Sequence, residues 1–126
     1  NELGGTSTQD TYSGTSGVTG FGNAGGSGGP YGGGGSGGSG GGGGAGGAGT
    51  NANNATANGG VGRANSLRTG SNVTYARGGN GYAYNESSVD EAANTGNGAH
   101  GVSSTGGNNT NSGNGGSGIV VIRYAL

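Results

Sequence analysis

Large apolar side chains are concentrated in one run near the end of the sequence, IVVIRY at residues 119–124. Its β-branched residues predict a β-strand, and because apolar side chains occupy both faces we expect both faces to be covered. A weaker apolar cluster, made of Leu67, Val73 and Tyr75, flanks the turn-forming sequence TGSN at residues 69–72. Turn residues between two strand-like runs predict a small hairpin.

Glycine dominates much of the remaining chain, and from Ala24 to Thr50 the other residues recur at every third position. The residues in this phase are Ala24, Ser27, Pro30, Ser36, Ser39, Ala45 and Ala48, and before Thr50 only Tyr31 departs from it. A three-residue period matches neither the α-helix, with about 3.6 residues per turn, nor the pleated strand, but it is that of polyproline II geometry. We therefore predict polyglycine II helices, with two bare glycine faces and a third that carries small side chains.

The backbone hydrogen bonds of such a helix must be made outside it, because this geometry has no internal ones. If the partner is water, the stretch is a flexible Gly/Ser linker. If the partners are other glycine helices, the bare backbones approach closely and form a bundle. The strict three-residue phase of this stretch and the abundance of glycine along the rest of the chain favour the bundle. Five consecutive glycines at residues 40–44 predict the helix at its centre.

A single domain is expected for a chain of 126 residues. Because 40 residues are glycine and 25% are hydrophobic, an ordinary apolar core is not available. We divide the domain into a polar lead-in at residues 1–19, a bundle with loops at residues 20–118 and a closing strand at residues 119–126. Within the bundle, the Asn-rich residues 50–58 predict a surface loop. The predicted fold is thus neither α-helical nor an ordinary β-sheet fold, but a bundle or sandwich of polyglycine II helices with surface loops, a small hairpin and a C-terminal β-strand.

Charge and composition argue against several kinds of partner. The net charge is −1 with four basic residues, which is too little positive charge for nucleic-acid binding. The sequence has no apolar run of about 18 residues, so we predict no membrane insertion. It has no cysteine, and therefore neither a disulfide framework nor a thiolate metal site. A single proline and an inverted glycine repeat distinguish it from collagen.

Candidate catalytic and metal-binding residues are few. A Ser-His-Asp site would have to use His100 with Asp90 or Asp10, and the sequence contains no motif that would position them. Glu86, Asp90 and Glu91 supply carboxylates suited to Ca²⁺, but without the spacing of an EF-hand loop. We therefore predict a protein that is not an enzyme and that uses no cofactor or metal.

The stretch least rich in glycine, residues 81–95, combines tyrosines with three of the five acidic residues. In a chain with so little core to fill, exposed tyrosines are candidate contact residues, because tyrosine gives a large rigid contact area at low entropic cost. Packing of the rings onto the glycine scaffold is the alternative. The candidate receptor-binding residues are Tyr31, Tyr82, Tyr84, Asn85, Glu86, Asp90, Glu91 and His100.

Three sequence blocks resemble the glycine-rich domains of phage tail fibres and fibre-tip adhesins. They are GGAGGAG at residues 43–49, TGSNVTYA at residues 69–76 and NGGSGIVVIRY at residues 114–124. The arrangement is similar to that of distal adhesins of T-even-type phages, in which polyglycine II helices stack in a sandwich. This resemblance implies an extracellular protein of the virion, at the tail-fibre tip. Residues 81–95 depart from the family pattern, which is richer in glycine there.

The same resemblance implies that loops between the glycine helices bind a bacterial outer-membrane protein or surface glycan. It also implies contact with the rest of the tail fibre or with identical subunits. An alternative function is that of a self-assembling subunit of an extracellular glycine-rich filament. Ice binding is a weaker alternative, because the small-residue face mixes alanine, serine and proline. Oligomeric state separates the first two, since a filament subunit polymerises through an open head-to-tail contact.

Overall fold

The computed structural model of the chain describes residues 3–6, 22–29, 38–52, 56–82, 89–101 and 112–124. These residues contain no helix, and their regular structure is limited to short β-strands. The strands are β1 (Thr56–Ala57), β2 (Arg63–Asn65), β3 (Val73–Tyr75) and β4 (Gly81–Tyr82). The prediction that the fold is not α-helical is therefore confirmed over the described part of the chain.

The predicted hairpin is confirmed and is formed by β2 and β3, which pair antiparallel with Ala64 opposite Thr74. Its first strand ends before Leu67, which lies in the connecting loop instead. The loop is held by local hydrogen bonds. The Asn65 side chain accepts the N–H of Leu67 at 2.7 Å, and Gly70 adopts a positive φ of 79°. Glycine has no Cβ and adopts this conformation without steric cost.

Strands β1 and β4 form a second antiparallel pair, with Ala57 opposite Gly81. Residues 50–58, predicted to be a surface loop, therefore include a strand. Ala57 is 1% exposed and is the one buried hydrophobic residue among those described. A strand of two residues is too short to show an alternating pattern, so β1 could not be recognised from the sequence.

The glycine segments are joined by backbone hydrogen bonds between residues far apart in sequence. Residues 38–45 bond to four other segments, at residues 24–29, 49–52, 58–62 and 76–81, over 2.7–3.0 Å. A strand within a β-sheet has hydrogen-bonded neighbours on two sides only. Residues 38–45 therefore occupy a central position and are bonded in a way that differs from a strand in a sheet.

Contacts of this central segment repeat every three residues. A Cβ atom added at any one of four glycines in this segment would overlap a neighbouring backbone. Two glycines that are separated by three positions in sequence would overlap the same neighbouring segment. The pairs are Gly40 and Gly43, which face residues 23–27, and Gly41 and Gly44, which face residues 58–61. Burial follows the same spacing, since Gly38, Gly41 and Gly44 are all buried. The period read from the sequence is thus present in the packing of the backbone.

Asparagine side chains complete the hydrogen bonding between adjacent segments. In three places a side-chain amide oxygen accepts a backbone N–H from another segment at 2.8–3.0 Å. The donors are Ser27, Gly59 and Arg77, and the acceptors are Asn51, Asn80 and Asn97, respectively. Extended glycine segments leave backbone donors without partners, and these asparagines supply acceptors for them.

The predicted C-terminal strand is wrong for residues 119–124, which belong to no strand. The expectation that both faces are covered is also wrong, because Val120 and Ile122 are 87% and 82% exposed. Ile119 and Val121 are each 38% exposed, so exposure alternates as in an extended chain. High β-propensity makes a strand only where a partner edge is present, and no described segment pairs with this one.

Candidate functional site

The predicted contact residues are distributed over several parts of the chain. Tyr31, Tyr84, Asn85 and Glu86 lie outside the described residues. Tyr82 lies in β4, and Asp90, Glu91 and His100 lie in the segment of residues 89–101. The structure brings Glu91 and His100 together, whereas Asp90 is exposed and accepts the backbone N–H of Asn114 at 2.7 Å.

Glu91 is the centre of a compact polar cluster. One carboxylate oxygen lies 2.7 Å from Nη2 of Arg77 and 3.1 Å from Nε2 of His100, and the other accepts a hydrogen bond from the amide of Asn97 at 2.9 Å. The Glu91 and His100 side chains are only 9% and 10% exposed. The Asn97 hydrogen bond, together with the hydrogen bond and charge of Arg77 and the charge of His100, lowers the pKa of Glu91, although burial opposes the shift.

One ring nitrogen of His100 has two neighbours in this cluster. Its Nε2 lies 3.1 Å from a carboxylate oxygen of Glu91 and 3.4 Å from Nη2 of Arg77. A carboxylate oxygen only accepts a hydrogen bond and a guanidinium nitrogen only donates one, so the tautomer of the ring decides which of the two neighbours Nε2 bonds to. The cluster therefore joins residues 76–81, 89–92 and 95–101 through one carboxylate. The Glu91 oxygens are both occupied by neighbouring side chains and not displayed to solvent.

A second feature is an open cavity of about 340 Å³ between the hairpin and the C-terminal segment. We call it the hairpin groove. Its apolar walls are Leu67, Tyr75, Ile119 and Val121, and Arg68 contributes a cationic side chain. Leu67 is half exposed, although it is one of the few large apolar residues of the chain. The groove therefore presents apolar surface to solvent beside a positive charge.

Tyr75 has a hydroxyl group that is buried and has no hydrogen-bond partner among the described residues. Leaving such a group unpaired costs about 1–3 kcal/mol. Its ring forms part of the groove wall, so this wall contains both an apolar face and an unused hydrogen-bonding group. Leu67, Arg68 and Tyr75 were not among the site residues predicted from the sequence. Their position beside a predicted turn is the signal that could have identified them, because binding residues are often found on loops.

A larger cleft, of about 600 Å³, lies among the glycine segments. It is lined mainly by the backbone of residues 39–45, 76–81 and 96–101, with few functional side chains. Three or more His, Cys, Asp or Glu side chains grouped as metal ligands are not found among the described residues. Of these two cavities, the hairpin groove is the one lined by large apolar side chains and a cationic side chain.

No protein-family model matches the chain, and neither a curated protein nor a solved structure matches it. In the described part of the chain, no helix is long and apolar enough to cross a membrane.

Proposed function

We propose that the glycine segments form a polyglycine II bundle and that the chain is a non-enzymatic adhesin of a phage tail-fibre tip. Loops between the glycine helices bind a bacterial outer-membrane protein or surface glycan. The protein acts outside the host cell, as part of the virion. The observation that carries this proposal is a scaffold joined by backbone hydrogen bonds, in which Ala57 is the one buried hydrophobic residue described and the described large hydrophobic side chains such as Leu67 are exposed.

Two properties of the central segment support the polyglycine II bundle. It is bonded to four neighbouring segments, and its contacts repeat every three residues, as three residues per turn requires. The spacing recurs elsewhere. Gly78 and Gly81 both face residues 39–42, and Gly113 and Gly116 both face residues 89–92.

Loops on a rigid scaffold support an adhesin, because binding residues are disproportionately found on loops held by rigid elements. The loop of the hairpin, residues 66–72, is exposed throughout. Residues 81–95 contribute tyrosines and acidic residues, which is a composition suited to recognition. Glu91 and His100 are mutually paired and nearly buried, so within this proposal they stabilise the site instead of touching the receptor.

The proposal is tested by binding of the fluorescently labelled chain to a panel of Gram-negative bacteria. We expect saturable binding to some strains. The combined substitution Tyr82→Ser, Tyr84→Ser and Glu86→Ser should abolish binding with little change in melting temperature, whereas the scaffold control Ser39→Ala should bind normally. Loss of folding in the triple variant, with normal binding per folded molecule, would contradict a recognition role for this loop. Absence of binding to every strain would contradict the adhesin.

A filament subunit is the second candidate function. The observation that favours it is the exposed apolar segment at residues 119–124, which is able to join neighbouring subunits. Electron microscopy of the purified chain separates the two functions. An adhesin tip gives particles of finite size, whereas an open head-to-tail contact gives filaments of unlimited length.

A further inference from the structure

We propose that residues 119–124 and the hairpin groove form a docking site for an extended, acidic segment of a different polypeptide, permanently present in the same assembly. The segment adds as a β-strand along residues 119–124 and places one apolar side chain in the groove. This surface includes Leu67 and Arg68 of the hairpin loop but none of Tyr82, Tyr84 and Glu86, on which the receptor-binding proposal is tested, and the inference does not depend on what the receptor is.

The backbone of residues 119–124 makes no hydrogen bond to another described residue. The alternating exposure of its side chains is that of an extended chain, and its residues have high β-propensity. An extended segment with free N–H and C=O groups is a template for strand addition, in which main-chain hydrogen bonds supply affinity and alternate side chains supply specificity.

The same segment displays apolar side chains to solvent. Val120, Ile122 and Tyr124 are all more than three-quarters exposed on one side of the segment. Ile119 and Val121 lie on the other side and line the groove together with Leu67. A continuous apolar edge of this kind invites aggregation if it is left uncovered. Apolar interfaces are more typical of permanent partners than of transient ones, which favours an assembly partner over a transiently bound receptor.

The described charged side chains at the groove and in the docking segment are positive. Arg68 lines the groove and Arg123 lies in the docking segment, whereas no carboxylate among the described residues lines the groove. The described carboxylates are engaged elsewhere, Asp90 with Asn114 and Glu91 with Arg77. A second copy of residues 119–124 would bring another arginine to this positive surface. Charge complementarity therefore selects an acidic segment from a different chain.

The test uses a short blocked peptide of alternating valine and aspartate as the probe, with a valine–lysine peptide as its counterpart. Titration followed by NMR should show that the acidic peptide shifts the amide signals of residues 119–124 and that the lysine peptide does not. Arg68→Glu should weaken acidic-peptide binding about fivefold or more, while Arg63→Glu, which makes the same charge change outside the groove, should have a smaller effect. Equal weakening by both variants, or equal binding of both peptides, would overturn the proposal.

A proline pair tests strand addition directly. Successive residues of a strand direct their N–H groups to opposite edges, and proline has no N–H. Only one of the two variants Val120→Pro and Val121→Pro should therefore lack an N–H group on the edge that the peptide occupies. That variant should lose peptide binding and the other should retain it. Thermal melts should confirm that both variants are folded. Equal effects of the two prolines would overturn strand addition. Sedimentation of the unmodified chain tests whether a second copy occupies the site instead. A dimer that is lost in the variant Val120→Lys would overturn the proposal of an acidic partner in favour of a second copy.

Discussion

Two adjacent glycines show how strictly the packing depends on position. A Cβ atom at Gly41 would overlap the carbonyl of Asn58, whereas one at Gly42 would lie 3.4 Å from the nitrogen of Gly79, its nearest neighbour. Gly41 is buried and Gly42 is exposed. Gly42 occupies the phase that carries small side chains elsewhere in the repeat, so the sequence phase and the available space agree.

We expect Gly41→Ala to destabilise the protein by about 1–3 kcal/mol, because the methyl group forces apart two backbones and leaves hydrogen-bonding groups unpaired. Gly42→Ala is the matched control and should change stability by less than about 0.5 kcal/mol, the usual surface range. Thermal melts of the two variants make the comparison. Equal melting temperatures would show that residues 40–44 are not packed as described.

Glu91 should make stability dependent on pH in the acid range. Its pKa is lowered from 4.5 in the folded protein, chiefly by the Asn97 hydrogen bond, and also by Arg77 and His100. A depressed pKa means that the contribution of Glu91 is fully present above 4.5 and is lost as pH falls through the lowered value.

We therefore expect Glu91→Gln to reduce stability at neutral pH by about 1–3 kcal/mol, because Arg77 and Asn97 lose their charged acceptor. The variant should also lose less stability than the parent protein on acidification below 4.5. Urea denaturation across this pH range measures both effects, with Asp90→Asn as the control outside the cluster. Parallel pH profiles for the parent and Glu91→Gln would contradict the role of the cluster.

At the scale of elements, the C-terminal segment has two faces with different roles. Because Val120 and Ile122 are exposed, Val120→Thr and Ile122→Thr should each change the free energy of unfolding by less than about 0.5 kcal/mol. Ile119→Thr and Val121→Thr, on the groove side, should each cost about 1 kcal/mol because they remove partly buried apolar contacts. Chemical denaturation of the four variants tests this difference, and equal costs on both faces would contradict the alternation.

The hairpin and the three-residue repeat could be predicted from sequence because each depends on local residues. The turn sequence marked the hairpin, and the glycine phase marked the spacing of packing contacts. The missing C-terminal strand could not be anticipated, since β-propensity does not reveal whether a partner edge exists. The strand β1 could not be recognised either, because its two residues carry no pattern.

The candidate site was less accessible to sequence reasoning. The cluster of Arg77, Glu91 and His100 depends on how three segments align, and no local pattern encodes that alignment. One signal was available for the asparagines. Asn-Gly recurs at residues 58, 80, 97 and 114, and two of these asparagines, Asn80 and Asn97, bond across to the backbone of another segment.

At the scale of the whole molecule, the described segments are held together by backbone hydrogen bonds instead of an apolar core. Each backbone hydrogen bond contributes about 0.5–1.5 kcal/mol, so no single one determines stability. The central segment is hydrogen-bonded to four neighbouring segments. Loss of one neighbour would therefore leave backbone N–H and C=O groups of the remaining segments without partners. The scaffold should therefore unfold as one cooperative unit, which gives the loops a rigid support.

Hydrogen exchange of the glycine amides, followed by NMR, tests this account most directly. The N–H groups of Gly41, Gly42, Gly60 and Gly78 donate to carbonyls of other segments at 2.8–3.0 Å. They should be protected by about a thousandfold or more and should exchange with a common free energy, as expected for a cooperative unit. Exchange of these amides at the rate of an unstructured glycine chain would contradict the packed backbone scaffold.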